Sequence, residues 1–175
     1  MREKTRGHWQ IDDKEYVSIQ KVIDCPDTGR TELYNRAMGY FTDQFTDVDS
    51  VIQERDFVHG IIIAKGVLKK VHVQNSVLRN SSIDTWYILK VVVRDSRAFI
   101  TLSLTHYDEA VRGSEPPDIH YLYPIPKQYP FNPAGYQKEL YEEAFNMSKT
   151  KAAEIIASAE QALLAKGTKD KKDPL

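Results

Sequence analysis

Phe99-Ile100-Thr101-Leu102-Ser103-Leu104-Thr105-His106-Tyr107 is the stretch that decides how this chain folds. Ile100, Leu102 and Leu104 alternate with Thr101, Ser103 and Thr105. Because successive side chains of an extended strand point to opposite faces, the stretch reads as an antiparallel strand buried on one side. Such a strand needs an apolar cover on that side and leaves the other open to water, a ligand or another chain. The same period of two runs through Ser50 to Arg55, Gly60 to Gln74, Thr85 to Asp95 and Arg97 to Tyr107. This predicts four strands, with Asp56 to His59, Asn75 to Asp84 and Ser96 as their connections. A fifth is expected from Tyr16 to Asp24, carrying Val17, Ile19, Val22 and Ile23. It ends at Cys25-Pro26-Asp27-Thr28-Gly29, since proline donates nothing to a ladder and the other residues favour turns. Gly66, inside the Ile61 to Val73 run, marks an expected bulge or bend that lets a long strand curve.

Between the first strand and the rest the period changes. Leu33, Ala37, Tyr40, Phe41 and Phe45 fall at helical spacing, which predicts an amphipathic helix from Arg30 to Phe45 capped by Thr28 or Thr31. A long second helix is expected over 133–166. Asn132 suits its N-cap, Pro133 its first position, and Phe131 with Tyr136 a hydrophobic staple; Gly167 stands as its stop. The apolar spacing slips at Ser148-Lys149-Thr150, a candidate break, and the alanine-rich second half offers a face for self-association. Residues 110–133 are different in kind, with Pro116, Pro117, Pro124, Pro126, Pro130 and Pro133 among Tyr121, Tyr123, Tyr129 and Phe131. Prolines so spaced favour an extended path, and the aromatics argue that it packs on something. It is either an ordered strap that delivers the last helix or, through Tyr121, Tyr123 and Tyr129, an adhesive surface for a partner. With 1–15 read as a flexible lead-in and 167–175 as a charged tail, 16–166 forms a single α+β domain. Its expected architecture is a curved antiparallel sheet of about five strands, one helix after the first strand, and a long C-terminal helix packed on the sheet.

With 24 basic and 25 acidic side chains, the chain has no overall field to recruit nucleic acid or an anionic membrane. Its lone cysteine, Cys25, excludes an internal disulfide and reads as a small buried hydrophobe. No run approaches the roughly 18 apolar residues of a membrane span, and Met1 to Arg6 leads into no signal-like apolar core. There is no phosphate-binding glycine loop, nucleophile elbow, zinc-type His-Glu helix or paired-cysteine motif. His8, His59, His72, His106 and His120 lack ligand spacing, and Asp56 with His59 looks like a polar hairpin turn. No catalytic, cofactor-binding or metal-binding residue is therefore assigned. Lys65, Lys69, Lys70, Lys90, Arg94 and Arg97 lie near Trp86 and Phe99, a combination that can hold single-stranded nucleic acid. Lys65 and Lys69, however, share an alternation class with Ile61, Ile63, Val67 and Val71, so lysines guarding sheet edges are the simpler account.

Glu32-Leu33-Tyr34-Asn35-Arg36-Ala37 with Tyr40, then Ser50-Val51-Ile52-Gln53, Asp56 and Gly60-Ile61-Ile62-Ile63-Ala64-Lys65-Gly66, resemble an uncharacterised domain family found mostly in Bacteroidetes and described as having a TATA-binding-protein-like fold. The family often has tryptophan where Tyr40 stands. The resemblance implies a strand, a helix, an antiparallel sheet and a final helix, in agreement with the pattern. It implies no activity and supplies no catalytic residues; family members are commonly exported, which implies the mature part of an envelope protein. The expected function is a non-enzymatic binding module whose partner is another protein or a second copy. The alternative is a small-ligand carrier with a cavity between the sheet and the C-terminal helix.

Overall fold

The computed structural model describes residues 9–76, 80–113 and 117–165. One antiparallel sheet contains β1 (Trp9–Ile11), β2 (Val17–Asp24), β3 (Ile52–Asp56), β4 (Ile61–Asn75), β5 (Asn80–Arg94), β6 (Arg97–Val111) and β7 (Ile119–Pro124). The order is β1-β2-β6-β5-β4-β3, with β7 also paired to β6. The helices are α1 (Arg30–Gln44), the short α2 (Val48–Val51) and α3 (Lys138–Leu164). The sheet has seven strands rather than about five. β1 falls in the stretch read as a lead-in, and β7 inside the proline-rich strap, where Pro124 ends its pairing opposite His106. β3 begins later than its alternation suggested, because Val48 to Val51 makes one helical turn capped by Asp47. Residues 1–8 of the predicted lead-in, residue 166 of the predicted last helix, and the whole predicted tail 167–175 with the expected stop Gly167 lie outside the described residues.

Both long helices cover the same face. Ile83, Leu89, Val91 and Val93 of β5 and Ile100, Leu102 and Leu104 of β6 are buried beneath them with Leu33, Phe41, Tyr141 and Phe145. Burial of such side chains is worth roughly 1.5–3 kcal/mol each, so this single layer dominates stability. Cys25 sits in the same core, and burial raises its thiol pKa.

Two bulges interrupt the long strands at one level. Thr105 is the extra residue where Trp86 pairs with His106 and Tyr87 with Leu104. On the other side of β5, Leu68 pairs with Thr85 and His72 with Ile83, so Lys69, Lys70 and Val71 stand opposite Asp84. Asp84 binds the Lys70 N–H at 2.7 Å and the Lys69 ammonium at 2.8 Å, while Lys70 adopts φ 50°. The β4 bulge is thus three residues beyond Gly66. Gly66 serves another need: a Cβ there would lie 2.7 Å from Tyr87 Cε1, and closer still to Cζ and Oη.

The helix termini also depart from the sequence reading. Gly29 is the N-cap of α1 and has no side-chain cap; neither Thr28 nor Thr31 fills the role. The Arg30 N–H instead donates to Asp95 Oδ1 at 2.9 Å, from the β5–β6 turn. The last helix starts at Lys138, not Pro133, after Gln137 in a left-handed conformation. Asn132 is engaged elsewhere, accepting from Ala134 N–H and donating to the Lys127 carbonyl. Phe131 packs edge-on against Phe145 rather than stapling Tyr136. No break occurs at Ser148, because its hydroxyl donates to Ala144 O at 2.7 Å and meets Thr85 Oγ1 at 2.8 Å.

Two glycines are expected to respond oppositely to alanine. Gly66→Ala forces the Tyr87 ring aside and should lower unfolding free energy by about 1–3 kcal/mol, measured by urea denaturation. Gly39→Ala, inside α1 with nothing within 4 Å of the added methyl, should raise it by about 0.5–1 kcal/mol.

Candidate interaction surface

No described helix covers the opposite face of the sheet, and its composition follows directly from the register. Ile61, Val92, Phe99 and Val22 align across β4, β5, β6 and β2. This row is wholly apolar, and Val22 is 54% and Phe99 37% exposed. The next row is Ile63, Lys90, Thr101 and Gln20, followed by Lys65, Ile88, Ser103 and Ser18, in which the two serine hydroxyls lie 2.7 Å apart. A fourth row holds Val67, Trp86, His106 and Pro124. Trp86 and His106 stack at 5.9 Å, and the Lys65 ammonium sits 4.7 Å from the Trp86 ring centre. Burial, then the Lys65 charge, hold the His106 imidazole below its ordinary pKa.

The alternation class that placed Lys65 beside Ile61, Ile63 and Val67 holds on this face. Beyond the bulge it fails, and Val71 is buried. Val22 belongs to the exposed row and not to the core, a distinction that adjacent Val22 and Ile23 concealed in the sequence. Its pairing with Phe99 is what identifies it.

The strap tyrosines do not form one surface. Tyr121 is 43% exposed and stacks on Tyr123. Tyr123 turns inward to meet Tyr141 edge-on at 5.7 Å, and Tyr129 is buried. Beneath β7, the fully buried Glu109 accepts from Tyr141 Oη at 3.0 Å; burial and this carboxylate drive the Tyr141 pKa upward. The second half of α3 lies against α1 within the same chain. Ala152, Ile156, Ala159 and Leu163 are buried, the Arg36 guanidinium donates to Leu163 O, and Lys21 pairs with Glu160.

Imidazole–carboxylate pairs do form, each by itself: His59 with Asp56 at 2.6 Å in a turn, His120 with Asp108 at 2.7 Å across β6 and β7, and His72 with Glu143 at 3.1 Å. Among the described residues, no three His, Cys, Asp or Glu converge as metal ligands. The space between sheet and α3 holds Tyr107, Tyr141 and Phe145, all fully buried. A cleft of about 630 Å³ opens instead at the edge of β4, lined by Tyr40, Phe45, Lys65, Trp86, Tyr87 and Ile155 among others. Tyr87 reaches it across Gly66, and burial, with Tyr40 nearby, pushes its pKa up to about 12.

One twisted antiparallel sheet with both long helices on a single face defines an α+β protein of the TATA-binding-protein-like class. The chain belongs to the family described as a domain of unknown function (DUF4468) with TBP-like fold, which matches residues 20–108. It is similar to the crystal structure of a DUF4468 family protein from Bacteroides ovatus, with TM-score 0.61 and 13% identity, over 93% of this chain and 94% of that one. It is also similar to a TBP-like protein from Parabacteroides distasonis, with TM-score 0.56 and 11% identity, over 86% and 96% respectively. At these identities the likeness establishes the fold. No curated protein matches the chain.

The depressed His106 pKa fixes a sign. The unfolded state takes up a proton near pH 6.5 and the folded state only below that, so stability should fall as pH drops through this region. Nuclear magnetic resonance titration should find His106 below its ordinary value in the wild type. In Lys65→Gln, which removes the repelling charge, its pKa should rise.

Proposed function

We propose that this domain is a non-enzymatic protein-binding module that uses the helix-free face of its sheet. The observation that carries the reading is the row Ile61, Val92, Phe99 and Val22, two half-buried and two exposed apolar side chains abreast on a face that no described helix covers. Apolar residues gathered in this way on a folded domain mark contact surfaces more often than scattered ones do. The polar rows beside it, with Lys90, Thr101 and Gln20, supply the hydrogen-bonding rim of such a surface. The imidazole–carboxylate pairs support a binding role over catalysis, because they stand apart from one another, in a turn, across β6 and β7, and between β4 and α3, rather than converging on one site. The partner is another protein or a second copy of the chain.

The family resemblance supports placement in the cell envelope. No described helix is long and apolar enough to cross a membrane. A small-ligand carrier is the second reading, favoured by the cleft beside β4, whose volume lies in the range of ligand pockets.

Photo-crosslinking in the native host tests the sheet-face reading. A benzophenone side chain at position 99 should give a discrete covalent adduct, while the same group at Met147 on α3 or at Tyr121 on β7 should not. Adducts from 121 or 147 alone, or from none of the three, would defeat it.

A further inference from the structure

We infer that the outer edge of β4, from Lys65 to Leu68, is a docking site for an extended peptide rich in carboxylates, which adds to the sheet as a strand. The phase of the ladder supplies the first argument. The Val93 N–H donates to Gly60 O at 2.8 Å, and in an antiparallel pair the peptide groups of alternate residues face opposite edges. Even-numbered residues of β4 as far as Leu68 therefore bond β5, while Ile61, Ile63, Lys65 and Val67 turn their N–H and C=O groups outward. β3 pairs with β4 only as far as Ala64. Ala64 gives its own peptide groups to Leu89, so its pairing with Ile52 is the non-hydrogen-bonded kind and occupies the Lys65 N–H with the Val51 carbonyl. The Lys69 carbonyl is taken by the Lys151 ammonium at 2.7 Å. Between these stops, no described strand lies along the Lys65 carbonyl and Val67.

The second argument is what surrounds that gap. The β4 cleft is centred on it, with Tyr40, Phe45 and Ile155 on the helix side and Trp86 and Val67 toward the open face. The Tyr87 ring fills the space that a side chain at Gly66 would take and so forms part of the wall. An edge kept only from aggregating is blunted by charge and by bulges. β4 does this at Lys69 and Lys70, yet just before them it presents backbone groups beside an apolar recess. From the Lys65 carbonyl to Leu68 about 10 Å of edge is available at ~3.3 Å per residue, enough for roughly three residues of an added strand.

Charge selects the occupant. Among the described residues lining the cleft, Lys65 alone is ionised; next along β4 come Lys69, whose ammonium is paired with Asp84, and Lys70, and Lys151 sits on the Lys69 carbonyl. A second copy pairing edge to edge would set these lysines against their own kind, which is unfavourable. An incoming strand that alternates apolar residues with Asp or Glu would fill the recess with one set and meet the ammonium groups with the other. This site lies apart from the row running from Ile61 to Val22, and neither reading depends on the other.

Selection of random eight-residue peptides displayed on phage, with the full chain as bait, tests the proposal. Enriched sequences should alternate apolar and acidic residues. Their synthetic copies should bind Lys65→Glu at least tenfold more weakly than wild type, and bind the Val22→Glu/Phe99→Lys double variant unchanged. N-methylation of every second peptide amide should abolish binding in one phase of the alternation and spare it in the other, since only one set of amides faces β4. Val67→Pro, which removes one outward N–H, should also abolish binding if its thermal midpoint is retained; if it is not, Lys65→Glu and the methylated peptides decide. Failure to enrich any sequence, enrichment of basic peptides, or indifference to Lys65→Glu or to methylation phase would overturn the proposal. Peptides lost only with the Val22/Phe99 variant would overturn it too, while supporting the sheet-face reading.

Discussion

β6 has to be paired along both of its edges, and the rest of the molecule is arranged around that demand. Its fifteen residues meet β5 on one side for their whole length. On the other side no single strand reaches so far, and β2 covers Arg97 to Leu104 before β7 continues from His106 to Val111. The change of partner coincides with the Thr105 bulge, whose hydroxyl binds the Trp86 carbonyl at 3.2 Å. A buried strand with unpaired amides would lose on the order of 1–3 kcal/mol for each. The proline-rich segment is therefore structural before it is anything else: β7 closes a gap that β2 leaves.

The same demand explains what could be read in advance. Ile100, Leu102 and Leu104 announced their strand because one face is covered and the other is not, and the α1 positions Leu33, Ala37, Tyr40 and Phe41 announced their helix for the same reason. β1 and β7 carry no such contrast. Of the residues of β7, Ile119, Tyr121 and Leu122 are all exposed, so its membership of the sheet rests on backbone pairing, which leaves no side-chain period. The sequence points to an early start for α3 because Asn132 has the chemistry of a cap, which the structure uses on a turn and on the Lys127 carbonyl. Ser148 looked like an interruption because its partner Thr85 stands on a strand 63 residues away.

The surface was legible in its ingredients and not in its arrangement. Lys65, Trp86 and Phe99 are conspicuous in the sequence as residues of the central strands, but the row that includes Val22 exists only once four strands are in register. The cleft depends equally on assembly. It needs β3 to stop at Ala64, Gly66 to lack a side chain, and Tyr87 to lean across from the neighbouring strand. The tyrosines of the strap, by contrast, were conspicuous in the sequence and are dispersed in space, with one outward, one against α3 and one buried.

The contact between Arg30 N–H and Asp95 also bears on the order in which the chain acquires its structure. The first turn of α1 leaves amide groups that its own residues do not satisfy, and the carboxylate that binds one of them comes from a turn 65 residues later. The same turn holds the approach to the helix, since Ser96 exchanges backbone bonds with Cys25 and Thr28. Hairpin closure between β5 and β6 is local and fast, whereas bringing Asp95 to Arg30 requires closing a long loop. During synthesis α1 emerges well before its anchor does. The N-terminal anchorage of α1 is therefore complete only once the hairpin is in place, so a lesion in the β5–β6 turn is felt at a helix 65 residues earlier in the chain.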